Sequence, residues 1–283
     1  MPVQKVAVVT GANKGIGFAI VKGLCEKFQG VVYLTSRSET KGKAAVQKLE
    51  ELGFHPSFHQ LDVLNQSSVD KFRDHIKTTH GGLDLLINNA GIMYPRDSTE
   101  PPLAEQAENT IGVNYYGTIR VCDALFPLLR DNAKVVNVSS SAGHLFRIPS
   151  AILRAKFANL NLTIPTLSNL MDKFVKDAKE NKTVEEGWGS PPYCCYVVSK
   201  VGLSALTFIQ QKNFDKETPL RNISINAVHP GLVRTDMNPS GVLTPEQGAK
   251  STLYAVFEPN LKGKYIWFNC EIVDWYGERT PPR

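Results

Sequence analysis

A glycine-rich stretch, Thr10-Gly11-Ala12-Asn13-Lys14-Gly15-Ile16-Gly17, comes directly after an apolar run at residues 6–9. The run is typical of a buried strand, and apolar residues recur at helical spacing behind the glycines. The spacing Gly-x-x-x-Gly-x-Gly therefore predicts a strand that turns into a helix, with the helix N-terminus at a pyrophosphate. The predicted dinucleotide contacts in this stretch are Gly11, Asn13, Lys14, Gly15, Ile16 and Gly17. A strand-to-helix turn without a ligand would use the same glycines, so this motif alone leaves both interpretations open.

Length and composition favour one α/β domain over residues 1–283, because the chain is 42% hydrophobic and 21% charged. The N-terminus lacks the apolar core of a signal peptide, and no apolar run approaches membrane-spanning length, so we expect a cytoplasmic protein. Five cysteines without metal-binding spacing predict reduced thiols and no metal site. The net charge of +5 is dispersed along the chain, which argues against nucleic-acid binding.

Strand and helix patterns alternate through the first half of the chain. Strands are predicted at residues 31–36, 57–61, 83–88 and 134–139, with helices at 42–52, 68–78 and 110–129 between them. This order predicts a Rossmann-type, doubly wound parallel sheet with helices on both faces. Ligands bind such sheets at the carboxyl ends of the strands. The predicted strand ends carry Gly11, Arg37, Asp62, Asn89 and Ser140.

A long segment, residues 144–192, interrupts this alternation. Helical spacing within it predicts at least one extra amphipathic helix. The apolar positions of that helix are Leu167, Leu170, Met171, Phe174, Val175 and Ala178. We expect its apolar face to join the core or cover a pocket, with a partner surface as the alternative.

Tyr196 and Lys200 lie four residues apart in a helical pattern, so their side chains should share one face. A neighbouring ammonium group lowers the pKa of a phenol and makes it a usable proton donor near neutral pH. Taken alone, the pair is also what an ordinary helix contains.

Several motifs in a fixed order give the chain a recognisable pattern. They are the glycine stretch, Asn88-Asn89-Ala90-Gly91, Asn114, Ser140, Tyr196-x-x-x-Lys200 and Pro230-Gly231. In these motifs the chain resembles the short-chain dehydrogenase/reductase family. Within that family it is most similar to the monomeric carbonyl reductases of animals, which share the stretches at residues 58–62, 81–84 and 233–237 and the long segment before the tyrosine.

The resemblance implies catalytic roles for four residues. Tyr196 would protonate the carbonyl oxygen, and Lys200 would lower the Tyr196 pKa and hold the nicotinamide ribose. Ser140 would hydrogen-bond the same oxygen, although Ser139 is one position away and remains an alternative. Asn114 would fix a water that relays protons, or would bond a backbone carbonyl within its helix.

Arg37 follows the second predicted strand, where arginine favours the extra phosphate of NADP(H) over NAD(H). Lys14 supplies a second cation to that phosphate. The resemblance further implies that Asp62 and Val63 border the adenine, and that Asn89, Ala90 and Gly91 lie beside the adenosine. It also places a loop over the nicotinamide and pyrophosphate. The implied loop residues are Pro230, Gly231, Val233 and Thr235.

The expected activity is NADPH-dependent reduction of aldehydes, ketones or quinones to alcohols. The alternatives are a non-catalytic NADP-binding scaffold or sensor and a narrower steroid or pteridine reductase. Bulky, partly aromatic carbonyl compounds fit the candidate pocket residues, and the resemblance further implies quinones, oxo-steroids, prostaglandins and glutathione conjugates. Those residues are Tyr94, Gln106, Ser140, Ser141, Ala142, Trp188, Tyr193 and Met237.

Three further expectations concern assembly and single residues. The resemblance implies that the extra helical segment covers the surface through which family members without it associate, which predicts a monomer. His229 is expected to be a hydrogen-bonded structural histidine with no proton-transfer role. Cys194 and Cys195 are expected to be buried, inert thiols, with redox sensitivity near the site as the alternative.

Overall fold

The protein, in a computed structural model that describes residues 4–282, is built around one eight-stranded sheet. Its strands are β1 Lys5–Val9, β2 Gly30–Ser36, β3 Ser57–Gln60, β4 Leu83–Asn88, β5 Leu129–Val138, β6 Ser224–Val228, β7 Tyr265–Ile266 and β8 Ile272–Val273. The spatial order is β3-β2-β1-β4-β5-β6-β7-β8, and all pairs are parallel except β7 with β8. The sequence therefore reverses its direction of travel across the sheet between β1 and β4, which is where ligands bind in such folds.

Helices cover both faces of the sheet. They are α1 Gly15–Lys27, α2 Glu39–Glu51, α3 Gln66–His80, α4 Leu103–Ile111, α5 Thr118–Leu125, α6 Ala151–Phe157, α7 Ile164–Lys179, α8 Tyr193–Phe214 and α9 Pro245–Phe257. Alternate residues of β1 enter opposite cores: Ala7 packs with α1, α2 and α9, whereas Val8 packs with α3 and α5. The predicted doubly wound fold is confirmed. The single domain expected over residues 1–283 stays a prediction, and residues 1–3 and 283 lie outside the described part.

The helix predicted at residues 110–129 is divided. After α4 the chain makes a π-helical turn, Gly112–Gly117, before α5, and β5 begins at Leu129, earlier than predicted. Gly117 lies against the chain that follows β3, because a Cβ added at Gly117 would lie 2.8 Å from Val63 Cγ2. A π-helical turn takes in one residue more than an α-helical turn, and apolar residues continue on both sides of it, so the sequence pattern did not reveal it.

The long segment before α8 forms two helices, α6 and α7. The apolar positions predicted for α7 are buried, except for the partly buried Val175, and they belong to the same core cluster as residues of α4 and α8. The extra helix is thus confirmed and its apolar face is core rather than a partner surface. The shorter α6 was not separately predicted.

The prediction that Trp188 contacts substrate is wrong. Its indole is fully buried inside this segment, with ring centroids 5.4 Å from Phe174 and 6.5 Å from Phe157. The indole Nε1 donates to Asp177 Oδ2 at 2.6 Å, and Lys173 Nζ lies 2.6 Å from the same oxygen. Trp188 therefore holds the segment together, because a buried indole N–H must find an acceptor and Asp177 provides one.

One helix within residues 4–282, α8, is long and apolar enough to cross a membrane by length and composition. Its most apolar window is 83% buried inside the protein, where it packs beside α4, α7 and the sheet. That burial is typical of a core helix.

Replacing Trp188 with Phe should lower the free energy of unfolding by about 1.5–3 kcal/mol, because the hydrogen bond to the Asp177 carboxylate is lost. Urea denaturation measures the change. Val184→Ala, at a 64% exposed position of the same segment, serves as the control and should leave stability almost unchanged. A Trp188→Phe variant as stable as the wild type would contradict this role.

Candidate active site

The turn from β1 into α1 is shaped by two glycines with no room for a side chain. Gly11 has φ +62°, and a Cβ there would lie 2.8 Å from Ala90 Cα. At Gly17 a Cβ would lie 2.5 Å from Asn89 Nδ2 and 2.8 Å from Ala12 Cα. No side chain caps the start of α1 at Lys14, so its first N–H groups are available to an anion.

Asn89 joins this turn to the end of β4. Its Nδ2 donates to the carbonyls of Thr10 at 2.9 Å and Gly11 at 3.0 Å. In return, Thr10 Oγ1 accepts the backbone N–H of Asn89 and of Ala90, each at 3.0 Å. The Asn89 amide therefore shapes the turn, in addition to lining the cleft. Thr10 was not among the predicted site residues, although it opens the glycine stretch.

A cleft of about 740 Å³ runs along the carboxyl ends of these strands, a volume suited to a cofactor. Its lining includes most of the predicted contacts: Gly11, Asn13, Lys14, Gly15, Ile16, Gly17, Arg37, Asp62, Val63, Asn89, Ala90, Gly91, Tyr196, Lys200, Thr235 and Met237. It also includes residues that were not predicted, among them Ser38, Lys41, Ile92, Arg234 and Asp236. Arg234 and Asp236 belong to the stretch at 233–237 that carries the resemblance, whereas Ser38, Lys41 and Ile92 belong to no quoted motif and only the fold brings them to the cleft.

Three residues expected over the cofactor lie behind the cleft lining. Pro230 is buried, and a Cβ at Gly231 would lie 2.4 Å from Leu243 Cδ1. Val233 is 4% exposed and packs on α9, where a Cβ at Gly248 would lie 2.4 Å from Val233 Cγ2. The cleft instead meets the next four residues of this loop, 234–237.

Gln106 was predicted to line the pocket, but its side chain does not face the cleft. Its side chain is 1% exposed, and Nε2 donates to the carbonyls of Ser98 at 3.0 Å and Pro101 at 2.8 Å. It therefore fixes the preceding loop. Tyr94 is half-buried, and its hydroxyl accepts from Asn109 Nδ2 at 2.9 Å.

Cations gather at the end of the cleft formed after β1 and β2. Arg37 and Lys41 line it, and Lys14 Nζ lies 2.6 Å from Asp236 Oδ2 across the cleft. The hydrogen bond and charge of Lys14, together with the charge of Lys41, hold the pKa of the exposed Asp236 below its ordinary value. Asp236 thus belongs to the same charged group, which was not predicted.

Tyr196 and Lys200 lie on one face of α8, as their spacing predicted. Lys200 Nζ is 5.8 Å from the centre of the Tyr196 ring and donates to the Val138 carbonyl at 2.8 Å. Burial lowers the pKa of Lys200 to about 8, because the surrounding protein disfavours the charged form. Tyr193 flanks the pair, with its ring centroid 6.1 Å from that of Tyr196 and the Arg96 guanidinium carbon 4.4 Å from its ring centre.

Asn114 lies fully buried in the π-helical turn and bonds in two directions. Its Oδ1 accepts the Ile92 N–H at 2.8 Å, and its Nδ2 donates to the Ile92 carbonyl and to Ser199 Oγ, each at 2.9 Å. The side chain therefore connects the chain after β4 to α8. A Cβ at Gly91 would lie 3.1 Å from Asn114 Oδ1 and 3.5 Å from Lys200 Nζ, so this glycine keeps the space between them open.

Two neighbouring serines differ in their surroundings. Ser139 is buried, and its Oγ lies 2.8 Å from Ser204 Oγ and 3.3 Å from the Lys200 carbonyl oxygen. Ser140 is half-buried, and its Oγ accepts the Ala142 N–H at 3.1 Å. The Ser139 hydroxyl is thus already hydrogen-bonded to α8, which favours Ser140 as the serine that is available to a substrate. Ser140 lies outside the residues that line the cleft.

Cys194 and Cys195 are each 2% exposed, and all five cysteines are free thiols. Burial, as predicted, agrees with an inert role. Within residues 4–282 no group of three or more potential metal-ligating side chains is assembled. His229 accepts backbone N–H groups, in agreement with its predicted structural role.

The chain belongs to the short chain dehydrogenase family, whose sequence profile matches residues 5–159. Carbonyl reductase (NADPH) 1 of Mus musculus is 42% identical over 268 residues, which cover 94% of this chain and 95% of that protein. Carbonyl reductase (NADPH) 3 of Rattus norvegicus is 43% identical over 258 residues, covering 90% and 92%. The structure of salutaridine reductase from Papaver somniferum superposes with a TM-score of 0.84 at 33% identity, covering 94% of this chain and 100% of that chain.

Burial of Lys200 should make stability depend on pH. The pKa of Lys200 is about 8 in the folded protein, against an ordinary value of 10.5. Between these two pH values the unfolded chain binds a proton at Lys200 that the folded protein does not bind. The free energy of unfolding therefore increases as the pH rises through this interval. Relative to Lys200→Met, the wild type should gain up to about 3 kcal/mol over this interval, at roughly 1.4 kcal/mol per pKa unit. Urea denaturation of both proteins across the interval measures the difference, and a constant difference would contradict the burial effect.

Proposed function

We propose that this protein reduces aldehydes, ketones or quinones to alcohols with NADPH. The observation that carries the proposal is the buried Lys200 beneath Tyr196, at a cleft whose other end holds Arg37, Lys14 and Lys41. One end of the cleft can move a proton and the other can bind a phosphate. The names of the relatives, NADPH-dependent carbonyl reductases at 42–43% identity over at least 90% of this chain, support the same activity.

The described residues fit NADPH as the cofactor. The side-chain-free turn at Gly11 and Gly17 and the uncapped start of α1 suit a pyrophosphate. Arg37 can bind the additional phosphate of NADPH through two N–H groups, with Lys41 and Lys14 beside it. An acidic residue at position 37 would favour NADH instead.

Tyr196 acts in this proposal as the general acid at the carbonyl oxygen. Bound NADPH supplies the hydride. Lys200, with a pKa of about 8, is mostly charged at neutral pH and stabilises the tyrosinate left after Tyr196 gives up its proton. The Ser140 hydroxyl donates to the same carbonyl oxygen and stabilises the negative charge that develops there.

The proton lost by Tyr196 is replaced through Lys200 and a water held near Asn114. The open space at Gly91 supports this relay, because it borders both Asn114 Oδ1 and Lys200 Nζ. A side chain at position 91 would occupy the place of that water.

Bulky, partly aromatic carbonyl compounds are the proposed substrates. Tyr193 is half-buried beside Tyr196, Tyr94 is half-buried one residue after the cleft residue Met93, and Met237 is 41% exposed on the cleft loop. These apolar, flat surfaces suit quinones and oxo-steroids, with glutathione conjugates as a further group. A steroid or pteridine reductase is a narrower form of the same activity. The complete set of Ser140, Tyr196 and Lys200 argues against a non-catalytic scaffold.

We further propose a monomer in the cytoplasm, with no nucleic-acid or membrane partner. The packing of α7 on both α4 and α8 supports the monomer, because the resemblance implies that family members without this segment associate through that surface. The dispersed charge supports the proposal of no nucleic-acid partner, and the burial of α8 supports the proposal of no membrane partner.

Replacing Tyr196 with Phe should reduce kcat by about 100-fold or more, because the general acid is lost. The dissociation constant for NADPH should stay nearly unchanged. Steady-state loss of NADPH absorbance with menadione measures the first effect, and fluorescence titration measures the second. Tyr193→Phe removes a phenol one helical turn earlier and serves as the control, for which turnover should persist. Wild-type rates in the Tyr196→Phe variant would refute the assigned role, and an inactive wild type across a carbonyl panel would favour the scaffold.

Replacing Arg37 with Asp should shift cofactor preference toward NADH. We expect the ratio of kcat/KM for NADPH to that for NADH to fall at least about tenfold, equivalent to about 1.4 kcal/mol, because a bidentate phosphate contact becomes a repulsion. Lys77→Asp makes the same charge change on an exposed position of α3 and should leave the ratio unchanged. An unaltered ratio in the Arg37 variant would remove Arg37 from the phosphate site.

A further inference from the structure

The ring of His229 connects two loops that border the catalytic groups. His229 directly follows β6, and its Nδ1 accepts the backbone N–H of Ser141 at 2.9 Å and that of Gly231 at 3.3 Å. Ser141 is the neighbour of Ser140. Gly231 begins the loop that reaches the cleft at residues 234–237. One nitrogen atom is therefore an acceptor for both loops.

The two N–H donors determine which nitrogen of the His229 ring carries the proton. A nitrogen that accepts N–H groups carries no proton, so a neutral His229 has its proton on Nε2. The residue is 1% exposed, and its ring centroid lies 4.4 Å from that of Trp267. Its backbone N–H donates to the Ile266 carbonyl at 2.8 Å, and its own carbonyl accepts from Ser251 Oγ at 3.2 Å. The acceptor is thus held rigidly by β7 and α9.

Other contacts hold the serine loop without reaching the second loop. The Tyr265 hydroxyl donates to the carbonyl of Ser140, and Ser139 Oγ bonds with Ser204 Oγ at 2.8 Å. Loss of either would affect the serine side of the site. His229 differs because its two bonds set the position of one loop relative to the other.

We propose that His229 is a positioning residue that sets the distance between Ser140 and the loop that begins at Gly231 and lines the cleft at residues 234–237. This inference rests on the proposed function, since that distance matters only if a carbonyl oxygen and a hydride donor must meet there. His229 itself contacts neither reactant. Its effect on turnover passes through the Ser141 and Gly231 N–H groups.

This role predicts a separation of kinetic effects. Lys14 meets this loop at Asp236, but that part of the loop has hydrogen bonds of its own, from the Arg234 N–H to the Leu243 carbonyl at 2.8 Å and from the Asn238 N–H to the Thr235 carbonyl at 3.0 Å. The proposed phosphate contacts should therefore persist without His229, and cofactor binding should survive its loss. Turnover should suffer, because displacement of reacting groups by about 1 Å can cost on the order of 100-fold in rate.

The test compares His229→Leu, which has no acceptor, with His229→Asn, whose Oδ1 takes the place of Nδ1 and can accept the same N–H groups. We expect kcat with NADPH and menadione to fall about 10–100-fold in the Leu variant, with KM for NADPH within about threefold of the wild type. The Asn variant should recover most of the lost kcat. Wild-type kcat in the Leu variant, or the same loss in both variants, would overturn the proposal.

A measurement on the wild type does not depend on how the variants fold. The ¹⁵N NMR shift of labelled His229 should identify Nδ1 as the unprotonated nitrogen in the active protein. A protonated Nδ1 would overturn the role of His229 while leaving the proposed reductase activity intact. A wild type without turnover on any carbonyl compound would overturn both.

Discussion

The close approach of the β1 turn to the end of β4 is the constraint on which the site depends. These strands are neighbours in a sheet whose order reverses between them, so their carboxyl ends form one edge of an open cleft. The approach is possible only because Gly11 and Gly17 lack a Cβ, and Asn89 and Thr10 then join the two ends by hydrogen bonds. A side chain at either glycine would push the turn after β1 away from Asn89 and Ala90 and would disturb the shape that suits a pyrophosphate.

The second constraint is the burial of a lysine. Lys200 is 5% exposed, and Val138 at the end of β5 supplies an acceptor for its ammonium group. Desolvation brings its pKa to about 8, which suits the role in proton transfer proposed for it beside Tyr196. The π-helical turn adds to this arrangement by placing Asn114 against α8, where it bonds Ser199. In a regular α-helix the side chain at position 114 would point in a different direction, so the contact between Asn114 and Ser199 depends on the π-helical turn.

Much of the fold and of the candidate site was predictable from the sequence, because the patterns that indicate them involve residues close together in the chain. A buried strand, a helix or the glycine turn is each indicated by a short stretch of sequence, and the spacing of Tyr196 and Lys200 spans only one helical turn. The errors were of another kind. Trp188 and Gln106 were placed in the pocket by their residue type, although neighbouring acceptors, Asp177 for one and the 98–101 loop for the other, hold them inside the protein.

The sequence alone thus determined the alternating fold, the glycine turn, the place of Arg37 directly after β2 and the spacing of Tyr196 and Lys200, since each depends on residues close together in the chain. Only the tertiary structure decided which serine stays available, which loop residues reach the cleft, and how His229 meets Ser141, 88 positions away. Contacts over such separations form when strands from distant parts of the chain become neighbours in the sheet. No local pattern records them, because the partners are selected by packing and by the need of buried N–H groups for an acceptor.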